Sequence, residues 1–134
     1  MARILLIDDD PAVRSTLSLI LAHFGHTVFE ASNGREGLEL FRRANADLVI
    51  TDIVMPEKEG LEVLIELREK QVPPIKVIAI TGGGRQNAAD YLRLAKLLGA
   101  PKVLAKPFPT EVLITAVNEL LSGGEAPAQT ATTP

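Results

Sequence analysis

Short apolar runs alternate along this chain with segments of helical spacing, and few architectures accept that order. Ile4–Ile7, Thr27–Ala31, Leu48–Thr51, Ile75–Ile80 and Lys102–Ala105 read as strands. Strands alternating with helices imply a parallel sheet covered on both faces. Its crossovers should be right-handed. The expectation is an α/β domain of five βα units over residues 1–121, with 122–134, rich in Gly, Ala, Thr and Pro, as a disordered tail or linker stub.

Local signals place the helices. Asp10 can cap a helix that begins at Pro11, where a missing N–H costs nothing. Val13, Leu17, Ile20, Leu21 and Phe24 keep helical spacing, and Gly25 stops it. Asn33 and Glu36 have the spacing of a capping box ahead of Leu38, Leu40 and Phe41. Leu61, Leu64, Ile65 and Leu67 mark a third helix that must end before Pro73-Pro74. Further helices are expected from about Asn87 to Leu98 and from near Thr110 to Leu121.

Composition narrows the functions. With 134 residues, 46% hydrophobic and only 4% aromatic, the chain suits one domain with an aliphatic core. A net charge of -3 without a long basic run argues against direct nucleic-acid binding. The absence of Cys excludes disulfides and thiolate chemistry. The apolar run after Arg3 is too short for a signal peptide or a membrane span, so a cytoplasmic protein without membrane contact is expected.

The strand ends carry the chemistry. Asp8, Asp9 and Asp10 follow the first run, Asp52 the third, Thr81 the fourth and Lys106 the fifth. In an open parallel sheet the carboxyl ends of the strands line one crevice, where such folds bind ligands. Like charges 4 Å apart repel by roughly 4 kcal/mol at an effective dielectric near 20, so converging carboxylates call for a cation or a proton. Hard oxygen donors favour Mg²⁺. A carboxylate beside Mg²⁺ and a lysine can attack a phosphoryl group and form an aspartyl phosphate.

Taken in order, Ile4-Leu5-Leu6-Ile7-Asp8-Asp9-Asp10-Pro11, Thr51-Asp52-Ile53-Val54-Met55-Pro56, Gly60-Leu61, Thr81-Gly82 and Lys106-Pro107-Phe108 resemble a response-regulator receiver domain of two-component signalling. The resemblance implies a flavodoxin-like, CheY-like (βα)5 three-layer sandwich with strand order 2-1-3-4-5. It implies Asp52 as phosphoacceptor, and Asp8, Asp9, Asp52 and the Val54 carbonyl as Mg²⁺ ligands. Thr81 would be the switch hydroxyl, Lys106 the phosphate-binding lysine, and Lys106–Pro107 a cis bond. The implied partners are a sensor histidine kinase or histidine phosphotransfer protein and a downstream protein. The domain would be a signalling module and not an enzyme acting on a free substrate.

Two features depart from the family. Val103 stands where Tyr or Phe is usual, three residues before the lysine, which removes the ring that normally moves inward on phosphorylation. Gly82-Gly83-Gly84 makes the loop after the fourth strand permissive, and that loop is expected to be mobile and to share in switching. Val54 and Gly83, which flank the path of an attacking water in this family, offer no side-chain acid, base or amide.

Competing readings fare worse. A Mg²⁺-dependent phosphohydrolase of the haloacid-dehalogenase type places a second Asp two residues after the nucleophile, where this chain has Val54. A flavodoxin-like electron carrier needs a hydroxyl- and Gly-rich phosphate loop where this chain has three aspartates. His23 and His26 read as surface residues around Gly25, and Arg35, Glu36, Glu39, Arg42 and Arg43 as a solvated helix face. No effector is expected after Leu121, so the chain reads as a stand-alone regulator or a receiver cut from a longer protein.

Overall fold

The computed structural model describes residues 2–52, 76–81, 102–106 and 108–122, with the Thr81 side chain excepted. The helices expected near 61–67 and 87–98, the loop 82–84, Val54, the Lys106–Pro107 bond and the tail beyond Ser122 lie outside the described residues.

Five strands form one parallel sheet in the order β2-β1-β3-β4-β5. They are β1 Arg3–Ile7, β2 Thr27–Ala31, β3 Leu48–Asp52, β4 Lys76–Thr81 and β5 Lys102–Ala105. The described helices are α1 Pro11–His23, α2 Gly34–Ala44 and α3 Thr110–Leu121. Side chains alternate across a strand, so each strand feeds two cores. Ile4, Leu6, Leu48, Ile50, Ile78 and Ile80 pack with Leu17 and Leu21 of α1 and Leu113 and Val117 of α3. Leu5, Ile7, Val49, Val77 and Ala79 fill the other face, against Leu38, Leu40 and Phe41 of α2. Helices on both faces make the three layers. They also explain why β1 and β3 read as unbroken apolar runs: neither face meets water.

The caps follow the sequence with one change. The Asp10 carboxylate accepts from the N–H groups of Ala12 and Val13, and Pro11 takes the first helical position. Asn33 accepts from the Glu36 N–H at 2.9 Å. Glu36 does not return the bond to Asn33, as a standard box would. Its carboxylate accepts from the N–H and hydroxyl of the preceding Ser32, at 2.7 and 2.9 Å. Those two bonds, first the backbone one, hold Glu36 below the usual carboxylate range. Gly25, at φ 93°, turns the chain out of α1, and Asn45 ends α2 at φ 53°, a left-handed conformation that Asn tolerates. Phe24 keeps the helical spacing of α1 but is 50% exposed, because it caps the helix beyond the last packed turn.

His26 departs from the expected surface role. It is half-buried, and its Nδ1 accepts from the Ala2 N–H at 3.2 Å. Burial, then the positive amino terminus, lowers its pKa from the ordinary 6.5. The unfolded chain therefore takes up the proton first as pH falls, and folding stability is lost below the ordinary value. Chemical denaturation across that range should show the wild-type chain losing stability relative to His26→Gln as pH falls. Parallel curves would refute the coupling.

Candidate phosphoryl site at the sheet edge

Strand register assembles the site. Ile7 is level with Thr51, so the next step along each strand sets Asp8 beside Asp52. Asp52 is level with Ile80, and Thr81 with Ala105, so Thr81 and Lys106 end the neighbouring strands at nearly the same height. All four positions meet at the carboxyl edge, on adjacent strands of the order β1-β3-β4-β5. Thr81 is placed by its backbone.

Asp8 is 1% exposed and Asp52 5%, which makes them, with Thr51, the buried polar residues described. Asp9 is exposed at the mouth of the cleft. One carboxylate oxygen from each of Asp8, Asp9 and Asp52 lies within 4.8 Å of the others. Buried carboxylates this close need a compensating charge. Lys106 supplies one: its Nζ is 3.2 Å from Asp8 Oδ2 and 3.2 Å from Asp52 Oδ2. Burial alone would lower the Lys106 pKa. The charges of Asp52 and Asp8 and their hydrogen bonds outweigh it and leave the ammonium more basic than usual.

The donor set suits a hard divalent cation. Mg²⁺ takes oxygens at about 2.1 Å, so opposite ligands stand about 4.2 Å apart. Any three positions of an octahedron include neighbours about 3.0 Å apart, so oxygens that lie within 4.8 Å of one another would draw closer on taking up the ion. The Val54 carbonyl, implied as a further ligand, lies outside the described residues.

Other contacts at the site have no clear signature in the sequence. Every polar atom of Asp8 is engaged: its N–H by the Ala31 carbonyl at 3.1 Å, its Oδ1 by the Asp10 N–H at 2.9 Å, its Oδ2 by Lys106, and its carbonyl by Arg14 Nη1 at 2.7 Å. Arg14 also donates to Glu30 on β2 at 3.3 Å. The only trace of this in the sequence is an arginine one turn beyond Asp10, which does not announce a contact to strand backbone. Val103 is half-buried and packs on the α2 side of the sheet, level with Ala79.

Comparison with known proteins agrees. The sequence model of the response regulator receiver domain matches residues 4–118. This chain belongs to that family. Protein PilH of Pseudomonas aeruginosa is 35% identical over 124 residues, which cover 92% of this chain and 100% of PilH. Sensor kinase CckA of Brucella abortus is 38% identical over 122 residues, 90% of this chain and 12% of that protein. The crystal structure of a response regulator receiver domain protein from Clostridium thermocellum superposes with a TM-score of 0.82 at 34% identity, covering 91% of this chain and 95% of that one. The chain thus spans all of one relative and a small part of another. As a receiver domain it is a component of two-component signalling, which implies a kinase partner. Among the described residues no helix is long and apolar enough to cross a membrane.

Proposed function

We propose that Asp52 accepts a phosphoryl group from a phosphohistidine of a sensor histidine kinase or histidine phosphotransfer protein, in a Mg²⁺-dependent step. The observation that carries this reading is the ammonium of Lys106 bridging two buried carboxylates at 3.2 Å each. An Asp52 oxygen attacks phosphorus, the P–N bond breaks, and the imidazole leaves with the electron pair. Asp8 and Asp9, with Asp52 itself, would hold Mg²⁺, which supplies charge neutralisation to the phosphoryl oxygens. Lys106 already lies at the acceptor, so it offers a second positive charge there without reorganisation. Thr81 ends the strand next to Asp52, where its hydroxyl would answer the new phosphoryl group. The outcome is altered contact with a downstream protein, not turnover of a free substrate. Family membership favours this reading over the phosphohydrolase one.

Incubation with a small phosphodonor and Mg²⁺, followed by mass measurement, tests it. The wild-type chain should gain one phosphoryl group, and Asp52→Asn none. Equal gain in both would sink the assignment of Asp52. Undiminished gain in excess chelator would sink the role of the metal.

A further inference from the structure

The turn that carries Asp8 and Asp9 is held by a residue outside the acidic site. Arg14 sits one turn into α1, and its N–H donates to the Asp10 carbonyl at 2.9 Å as part of the helix. Its side chain doubles back and donates from Nη1 to the Asp8 carbonyl at 2.7 Å. The guanidinium is itself held from the far side, through Nε, by Glu30 of edge strand β2 at 3.3 Å. Arg14 therefore grips both ends of the Asp8–Asp9–Asp10 turn and braces it on a neighbouring strand.

The grip on the Asp8 carbonyl acts on Asp9. That carbonyl and the Asp9 N–H share one rigid peptide plane. Fixing the oxygen fixes the plane, and with it the direction in which Asp9 leaves the strand. Asp8 is held by three further contacts. Asp9 is exposed and has no such enclosure. The orientation of the Asp9 carboxylate toward Asp8 and Asp52 thus depends on the peptide that Arg14 pins.

We propose that Arg14, braced by Glu30, is a positioning residue that presents the Asp9 carboxylate to the cation. The proposal rests on the reading of Asp8, Asp9 and Asp52 as a cation and phosphoryl site. Charge and geometry predict opposite effects, which makes the test sharp. If Arg14 acted only through its positive charge, its removal would tighten cation binding. If it positions Asp9, removal weakens binding, on the order of tenfold, as for other residues that orient metal ligands. Lysine keeps the charge but not the two-pronged donor geometry, so Arg14→Lys should resemble Arg14→Ala.

The probe is Mn²⁺, titrated into wild type, Arg14→Ala, Arg14→Lys and Glu30→Ala, with free Mn²⁺ followed by electron paramagnetic resonance. All three variants should bind about tenfold more weakly. The Mg²⁺ concentration for half-maximal phosphorylation by a small donor should rise by a similar factor, with the rate at saturating Mg²⁺ within about twofold of wild type. A general loss of packing would lower that saturating rate as well. Unchanged or tighter Mn²⁺ binding in folded variants would overturn the positioning role and leave the site reading intact. Failure of wild type itself to bind Mn²⁺ would overturn both.

Discussion

Lys106→Met should lose about 3 kcal/mol of folding stability at neutral pH in the absence of divalent cations, the cost of removing one partner from a buried charge cluster. Methionine keeps most of the lysine stem, so the change is chiefly one of charge. Asp8 and Asp52, 1% and 5% exposed, are then left facing each other with no ammonium between them. One condition should restore the variant. Mg²⁺ should stabilise it more than it stabilises wild type, because the ion then replaces the only internal counter-charge described for this pair. Wild type carries a pH dependence at the alkaline end that the variant lacks. Its Lys106 pKa is raised above 10.5, so that contribution is complete below 10.5 and disappears as pH climbs through the higher folded value. Phosphorylation of the variant should fall by on the order of a hundredfold, as when one preorganised donor to a developing charge is removed. Denaturation curves with and without Mg²⁺ at two pH values, with a phosphorylation time course, check all of this. A variant as stable as wild type in chelator would contradict the account of the cluster.

Gly37→Val should cost about 3 kcal/mol, because α2 lies too close to the sheet for a branched side chain. A Cβ at position 37 would stand 2.4 Å from Cδ1 and 2.8 Å from Cγ1 of Ile7. Ile7 is fully buried among Val49, Ala31 and their neighbours and has little room to yield. Alanine is the milder case. Its overpacking cost of about 1–3 kcal/mol is offset by about 1 kcal/mol of helix propensity. Shortening the obstructing side chain should recover much of the loss, so Gly37→Val with Ile7→Ala should be more stable than the sum of the two single changes predicts. Strict additivity in chemical denaturation would show that the helix has simply moved aside. Ile7 is the residue before Asp8, so this contact lies next to the site.

The strands and helices were legible where one rule dominates. Thr27–Ala31 and Lys102–Ala105 are strands over the expected residues, and Thr110–Leu121 is a helix over its expected ones. β3 and β4 each run one residue further than the apolar pattern, to Asp52 and Thr81, because pairing with a neighbour continues where hydrophobicity stops. The acidic cluster could be read because all its members sit at one kind of position, the carboxyl end of a strand. Its bracing could not. Arg14 to the Asp8 carbonyl and Ala2 to His26 join a side chain to a backbone group across a turn or between strands, and no spacing rule encodes such pairs. Glu36 shows the intermediate case: its spacing from Asn33 predicts a capping role, but its carboxylate accepts from Ser32, one position upstream of the expected partner.

The order of the sheet has one more consequence. Among the described residues β5, which Lys106 follows, pairs only with β4 and so forms a border of the sheet, whereas Asp8 and Asp52 end the two interior strands β1 and β3. The anions are mounted on the most enclosed part of the fold and their counter-charge on a margin. A tether between Lys102 of that strand and Glu119 of α3 adds to its hold. Border strands part from a sheet more readily than interior ones. Any partner that pulls on β5 therefore tugs directly on the ammonium, and through it on the electrostatic balance of a site formed by strands it never touches.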